Sequence, residues 1–105
     1  MPLQILGLNH NTAPVEIREQ VVFAGEQIPG ALEAVRAIDG VEEAVLLSTC
    51  NRTEIYCDAL GDAQEQTCEW LAGFHGLSIE DISPYLYIHE GRNAVNHLLS
   101  VASGL

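Results

Sequence analysis

Two strand-like segments joined by a very short link constrain the fold of this chain more than any other feature. The segments run from Val41 to Thr49 and from Thr53 to Leu60; the first is largely apolar and the second alternates in polarity. Parallel strands need a crossover of a dozen or more residues, so this link can only join antiparallel neighbours. The sequence therefore predicts an antiparallel pair of strands in the middle of the chain.

The other patterns place this pair in one α+β domain that covers residues 1–105. An apolar run from Leu3 to Leu8 predicts a central strand, and Tyr85 to His89 predicts a short one. Helical spacing is expected near residues 14–22, 26–38, 62–74 and 91–105. This order matches the ferredoxin-like split βαβ motif, so we expect a four-stranded antiparallel sheet with helices packed on one face plus a C-terminal helix.

Three helix boundaries carry recognisable signals. Asp62 can cap the third helix and Gly76 can end it. Ser78 with Asp81 resembles a capping box for one further turn, which Pro84 stops.

The link between the paired strands carries a candidate nucleophile. If the backbone stays extended, Cys50 and Arg52 point to the same side. A neighbouring cation favours the thiolate, which is the nucleophilic form of cysteine. The alternative is that Cys50 is a structural thiol and Arg52 a surface residue on a turn, because free cysteine is commonly buried. Spacing alone does not choose between the two.

The other two of the three cysteines are predicted to be packing residues. Cys57 shares an alternating face with Ile55 and Ala59, and Cys68 lies within a helical pattern. Without a CxxC pair, the spacing predicts neither a disulfide framework nor a metal site.

Three histidines have assignable positions. His75 lies at a predicted helix end, where it can complement the helix dipole. His89 is interpreted as an ordinary strand-end residue. His97 lies on the apolar stripe of the last helix and so faces inward, where it is either a hydrogen-bonded core residue or an acid, base or donor toward a pocket.

Asn9, His10 and Arg18 flank the predicted loop at residues 11–14. The residues themselves favour turn chemistry for this loop and a solvated arginine. We assign these three side chains no chemical step.

Three blocks of the sequence carry a family resemblance. They are Ser48 to Glu54, Gly7 to Pro14 with Arg18-Glu19, and His97 to Leu105. In this order, and spanning nearly the whole chain, they resemble the N-terminal catalytic domain of glutamyl-tRNA reductase.

The resemblance implies covalent catalysis. Cys50 would attack the ester carbonyl of glutamyl-tRNA, and NADPH bound by another domain would reduce the resulting thioester to glutamate-1-semialdehyde, for tetrapyrrole (porphyrin) biosynthesis. Arg52 would bind the substrate carboxylate, since its planar fork matches a carboxylate bidentately. Thr49 would donate a hydrogen bond to substrate, and His97 would orient substrate or transfer a proton. Asn51 would fix the turn through its own backbone.

The resemblance also implies partners and further domains. NADPH-binding and dimerisation domains of the full-length enzyme are expected to be absent from these 105 residues. The full-length enzyme is expected to be a homodimer, and glutamate-1-semialdehyde aminomutase is a further candidate partner. A cytoplasmic location is expected, because the sequence has no apolar run of about 20 residues and no secretory signal.

The charge does not fit a nucleic-acid binder. Four basic residues, all arginine, against fifteen acidic ones give a formal net charge of −11. Such a surface repels phosphates, so weak binding of tRNA by this chain alone is expected. A competing interpretation from a different class is a ferredoxin-like ligand-binding or regulatory module in which Cys50 is structural.

Overall fold

The central strands form the predicted hairpin. In the computed structural model, which describes residues 3–59 and 63–104, β2 (Val41–Ser48) pairs antiparallel with β3 (Arg52–Ala59). The pairing begins at Ser48 and Thr53 and is irregular only between Val41 and Glu43. The antiparallel prediction is confirmed, with each boundary within one residue of the expected one.

The hairpin belongs to a four-stranded antiparallel sheet. β1 (Leu3–Asn9) lies between β3 and β4 (Tyr87–Glu90), so the spatial order is β2-β3-β1-β4. From Ile5 to Asn9 every residue of β1 is buried, as expected for a central strand. The order and directions are those of the ferredoxin-like split βαβ motif, and the predicted fold class is confirmed.

Within residues 3–59 and 63–104, five α-helices connect and cover the strands. They are α1 (Val15–Gln20), α2 (Ile28–Arg36), α3 (Ala63–Phe74), α4 (Ile79–Ile82) and α5 (Gly91–Ala102), with short 3-10 turns at Gly25–Gln27 and Ser83–Tyr85. The predicted capping box is present, because the Ser78 backbone N–H donates to the Asp81 carboxylate at 2.9 Å. The predicted cap at Asp62 lies outside the described residues. None of the helices within residues 3–59 and 63–104 is long and apolar enough to cross a membrane.

The two faces of the sheet bury different partners. Residues 55, 57 and 59 of β3 join the larger apolar core, to which α2 and α3 contribute. The opposite face packs Ile5 and Tyr56 against Ala94 of α5. Cys57 and Cys68 both belong to the larger core, so their interpretation as packing residues is confirmed.

An aromatic cluster packs at the larger core. Phe23 stacks on Trp70 with ring centroids 6.0 Å apart and meets His75 edge-on at 4.6 Å. His75 Nε2 is buried without a hydrogen-bond partner among the described residues. Burial lowers the pKa of His75, so the predicted cationic role at the helix end is wrong: desolvation outweighs the dipole.

We expect His75→Phe to stabilise the chain by about 1 kcal/mol at neutral pH, because it removes an unpaired buried nitrogen and keeps an aromatic ring. In the native state the pKa of His75 lies below its ordinary value of 6.5, so the unfolded chain takes up the proton first. The native chain therefore loses stability as the pH falls below that value, and the advantage of the variant should grow. Urea unfolding at pH 7 and pH 5 measures this, with the exposed His10→Gln as control. An equal pH dependence in native chain and variant would contradict it.

Candidate active site

Cys50 lies at the tip of the β2–β3 hairpin. Thr49 and Arg52 close the turn, with the Thr49 N–H donating to the Arg52 carbonyl at 2.7 Å. Cys50 and Asn51 are the two central residues of the turn, and both are exposed. The segment is therefore not extended, and the expectation that strand alternation puts Cys50 and Arg52 on one side is wrong, because these backbone bonds reverse the chain between them.

The side chain of Thr49, rather than that of Asn51, fixes this turn. Thr49 Oγ1 accepts a hydrogen bond from the Asn51 N–H at 3.3 Å and lies 3.5 Å from the Arg52 carbonyl. Such contacts are characteristic of hydroxyl residues at turns. Thr49 is exposed and directly precedes Cys50 in the turn.

Arg18 holds the turn from the other side. Its Nε donates to the Cys50 carbonyl at 3.3 Å, and its Nη1 donates to the Ala13 carbonyl at 2.7 Å. The interpretation of Arg18 as a solvated residue is therefore wrong. The guanidinium of Arg18 therefore lies against the backbone of Cys50. No periodic pattern predicts this contact, because the two residues are 32 positions apart in the chain.

The loop after β1 is built by turn chemistry, as predicted. Asn9 Oδ1 accepts from the Asn11 N–H at 2.9 Å, and the Asn9 N–H donates to Thr12 Oγ1 at 3.0 Å. Asn9 Nδ2 also lies 3.4 Å from the Tyr87 hydroxyl, which joins the loop to β4. His10 is exposed.

Behind the turn lies a buried carboxylate that the sequence analysis did not single out. The Glu54 side chain is fully buried. Its Oε2 lies 3.2 Å from Arg52 Nη1 and accepts hydrogen bonds from the Tyr87 hydroxyl and His97 Nε2, while Oε1 accepts from the Tyr56 hydroxyl. The signal that could have found Glu54 is an acid within a strand segment that is expected to be central to the sheet, two positions from an arginine and so on the same face as that arginine.

The ionisation of Glu54 fixes the protonation of His97. Burial alone would raise the pKa of Glu54, but hydrogen bonds from Tyr56, Tyr87 and His97 outweigh it and lower the pKa below its ordinary value. An ionised carboxylate only accepts, so His97 Nε2 must carry the proton that it donates. His97 thus faces inward and is hydrogen-bonded through Nε2. Nδ1 is the ring nitrogen that does not contact Glu54.

His89 belongs to the same cluster. Its ring stacks on His97 with centroids 4.5 Å apart, and Tyr87 lies against both rings at 5.3 Å. Burial, followed by the proximity of His97, lowers the pKa of His89. Its interpretation as an ordinary strand-end residue therefore missed a neighbour of the candidate site.

Gly7 makes room for Glu54. A Cβ atom at Gly7 would lie 2.5 Å from the Thr53 carbonyl oxygen and 2.7 Å from Glu54 Cγ. Both distances are shorter than a van der Waals contact. The Thr53 oxygen belongs to the backbone of the neighbouring strand. The missing side chain on β1 therefore allows the Glu54 side chain to lie across the sheet.

We expect Gly7→Ala to cost roughly 1–3 kcal/mol of stability, because the methyl group must displace β3 or the Glu54 side chain. Gly25→Ala is the matched control, since a Cβ atom there meets nothing within 4 Å. Thermal unfolding of both variants tests this. Equal melting temperatures for the two would show that the sheet accommodates a side chain at residue 7.

The three thiols should differ in reactivity. Cys50 is exposed, whereas burial raises the pKa of Cys57 and of Cys68 to about 11. With iodoacetamide near neutral pH, we expect Cys50 to react at least roughly tenfold faster than the other two, since exposure and thiolate content control the rate. Peptide mapping over time measures this, and Cys50→Ser should abolish the fast phase. Similar rates for all three thiols in the folded chain would contradict the assignment.

Comparisons of the sequence with known proteins point to one family. The family model described as "Glutamyl-tRNAGlu reductase, N-terminal domain" matches residues 6–105. The glutamyl-tRNA reductase of Pseudoalteromonas translucida is 48% identical over 105 residues, which is 100% of this chain and 25% of that protein. That of Alkalilimnicola ehrlichii is 51% identical, again over all of this chain and 24% of its own length.

A solved structure agrees with these sequence matches. Glutamyl-tRNA reductase from Methanopyrus kandleri superposes with a TM-score of 0.72 and 31% identity, over 98% of this chain and 22% of that one. The chain spans about a quarter of the length of the curated relatives it matches. The family match over residues 6–105, together with the shared fold, shows that this chain belongs to the glutamyl-tRNA reductase family through its N-terminal domain.

Proposed function

We propose that this chain performs the thiol half-reaction of a glutamyl-tRNA reductase. The Cys50 thiolate attacks the carbonyl carbon of the ester that joins glutamate to the terminal ribose of its tRNA. A carbon–sulfur bond forms, the carbon–oxygen bond to the ribose breaks, and the ribose oxygen takes up a proton. The products are a glutamyl thioester on Cys50 and free tRNA. The observation that carries this proposal is the exposed position of Cys50 at the hairpin tip, in contrast to the two buried thiols.

Arg52 is proposed to bind the side-chain carboxylate of the glutamyl group. Its Nη1 is engaged by Glu54 and lies 3.4 Å from the Tyr87 hydroxyl. A guanidinium has five N–H donors in a fixed plane, and within residues 3–59 and 63–104 the side-chain hydrogen bonds of Arg52 all use Nη1. The edge formed by the other two nitrogens would therefore make the bidentate contact. Glu54 would thus orient the guanidinium and leave that edge for the substrate.

His97 and Thr49 are proposed to complete the site. Because His97 Nε2 donates to Glu54, a proton for the ribose oxygen would pass through Nδ1. Thr49 is exposed and directly precedes Cys50, and its hydroxyl would donate a hydrogen bond to the bound ester.

Hydride chemistry is not assigned to these residues. The resemblance implies NADPH, which supplies hydride for thioester reduction when bound. Within residues 3–59 and 63–104 no strand-to-helix junction carries the repeated glycines that cradle a dinucleotide pyrophosphate. The described residues therefore do not fit this cofactor, and we derive no reduction step for them.

The acidic surface limits how the substrate is held. With a net charge of −11 the chain repels the tRNA body, so contact is proposed to be confined to the aminoacylated end. The competing binding-module hypothesis needs a structural Cys50. The exposure of that thiol on a turn disfavours it.

We expect the chain to become acylated at Cys50 by glutamyl-tRNA, seen by intact mass spectrometry after acid quenching as the mass of one glutamyl group. Cys50→Ser should show no adduct, and Cys68→Ser should behave as the unmodified chain because that thiol is buried. An adduct that persists in Cys50→Ser would place the nucleophile elsewhere.

A second substrate separates thiol chemistry from tRNA binding. Small esters of glutamate and of glutamine differ only in the carboxylate proposed to meet Arg52. The unmodified chain should prefer the glutamate ester, and Arg52→Lys should lose roughly tenfold of that preference, because lysine cannot form the bidentate pair. Equal rates for both esters in the unmodified chain would remove Arg52 from the substrate site.

A further inference from the structure

Both oxygens of the buried Glu54 carboxylate are occupied by donors. Oε1 accepts a hydrogen bond from the Tyr56 hydroxyl at 2.5 Å. Oε2 accepts from the Tyr87 hydroxyl and from His97 Nε2, and Arg52 Nη1 lies 3.2 Å from it. A carboxylate offers about four lone-pair sites, so these donors saturate it. The side chain is fully buried, so no further donor reaches it from solvent.

Arg52 contacts this carboxylate through one nitrogen rather than two. An arginine and a carboxylate frequently form a fork-to-fork pair, in which two guanidinium nitrogens meet both carboxylate oxygens. Among residues 3–59 and 63–104 only Nη1 of Arg52 contacts Glu54. The oxygen that a second nitrogen would need, Oε1, is held by Tyr56. The other edge of the guanidinium is thus kept off Glu54.

The two phenols are fixed as donors to Glu54. Burial, followed by the hydrogen bond to Glu54, raises the pKa of Tyr56 and the pKa of Tyr87 above their ordinary value. Each phenol therefore keeps its single proton and gives it to the carboxylate. The Tyr87 oxygen then faces Arg52 Nη1 and Asn9 Nδ2 with its lone pairs, at 3.4 Å from each.

Loss of either hydroxyl would change what Arg52 binds. A lone pair left unpaired on a buried, ionised carboxylate is costly, so a neighbouring donor is drawn to it. Arg52 is the neighbour with N–H groups to spare, because its side-chain hydrogen bonds among the described residues all use Nη1. A second guanidinium nitrogen would then turn to Glu54. An internal carboxylate and a substrate carboxylate thus compete for the same edge of Arg52.

We propose that Tyr56 and Tyr87 are positioning residues that determine substrate specificity: by saturating Glu54, they keep one edge of Arg52 available for an acidic side chain of the substrate. This inference rests on the proposed function, in which Arg52 binds the glutamyl carboxylate. Both tyrosines act through Arg52. They therefore set the selectivity for a carboxylate over a carboxamide and leave the intrinsic reactivity of the Cys50 thiol unchanged.

The probes are small α-esters of glutamate and of glutamine, and the measured quantity is the ratio of their second-order rate constants for acylation of Cys50, followed by intact mass spectrometry. Tyr56→Phe and Tyr87→Phe should each lower this ratio roughly three- to tenfold, the worth of about one hydrogen bond. The loss should appear as a higher half-saturating concentration of the glutamate ester. Tyr85→Phe is the matched control, because Tyr85 packs against the larger core, and it should change the ratio less than roughly twofold.

A second readout separates selectivity from structural damage. The rate of Cys50 alkylation by iodoacetamide should stay within roughly twofold in both variants, since exposure of the thiol is unaltered. Circular dichroism checks folding, and if one variant does not fold the other carries the test.

The outcomes distinguish this inference from the proposed function. If the unmodified chain shows no preference for the glutamate ester, the proposed role of Arg52 fails and the inference falls with it. If the preference is present and both variants retain it, the inference alone is overturned. An equal loss in Tyr85→Phe, or a parallel loss of alkylation rate, would show a structural effect and would also overturn it.

Discussion

The buried carboxylate of Glu54 is the interaction on which the site depends. An ionised group without solvent is costly, and four donors from two strands and one helix offset that cost here. Each donor is in turn held in place by the same carboxylate. The positions of Arg52 and His97 are therefore not independent: a change at either one alters the charge balance that fixes the other.

One face of the sheet changes character along its length. Near the hairpin tip it is polar and carries the Glu54 cluster, whereas farther along Leu3, Val45, Tyr56 and Leu98 line a largely apolar groove of about 430 Å³. Tyr56 belongs to both regions, with its ring toward the groove and its hydroxyl on Glu54. The opposite face packs against the larger core, which contributes stability to this arrangement.

Local patterns predicted the fold well because strands and helices here obey their own periodicities. The short link could only make a hairpin, and the alternation that buries Cys57 was readable from its neighbours. The contacts of the candidate site were harder to predict from the sequence. Arg18 meets the Cys50 carbonyl across 32 positions and His97 meets Glu54 across 43, and no local pattern encodes such contacts. His75 was misjudged because its burial depends on Phe23, which is distant in sequence.

The two-residue turn at Cys50 has a consequence for the lifetime of anything attached to it. A thiol at the tip of a hairpin projects from the rim of the sheet rather than into an enclosed cavity. An acyl group carried there, as proposed above, would be open to water on its outer side, and spontaneous hydrolysis would compete with onward transfer. A cover for that group would have to come with the substrate or from residues other than those described, so shielding would be separated in space from acylation.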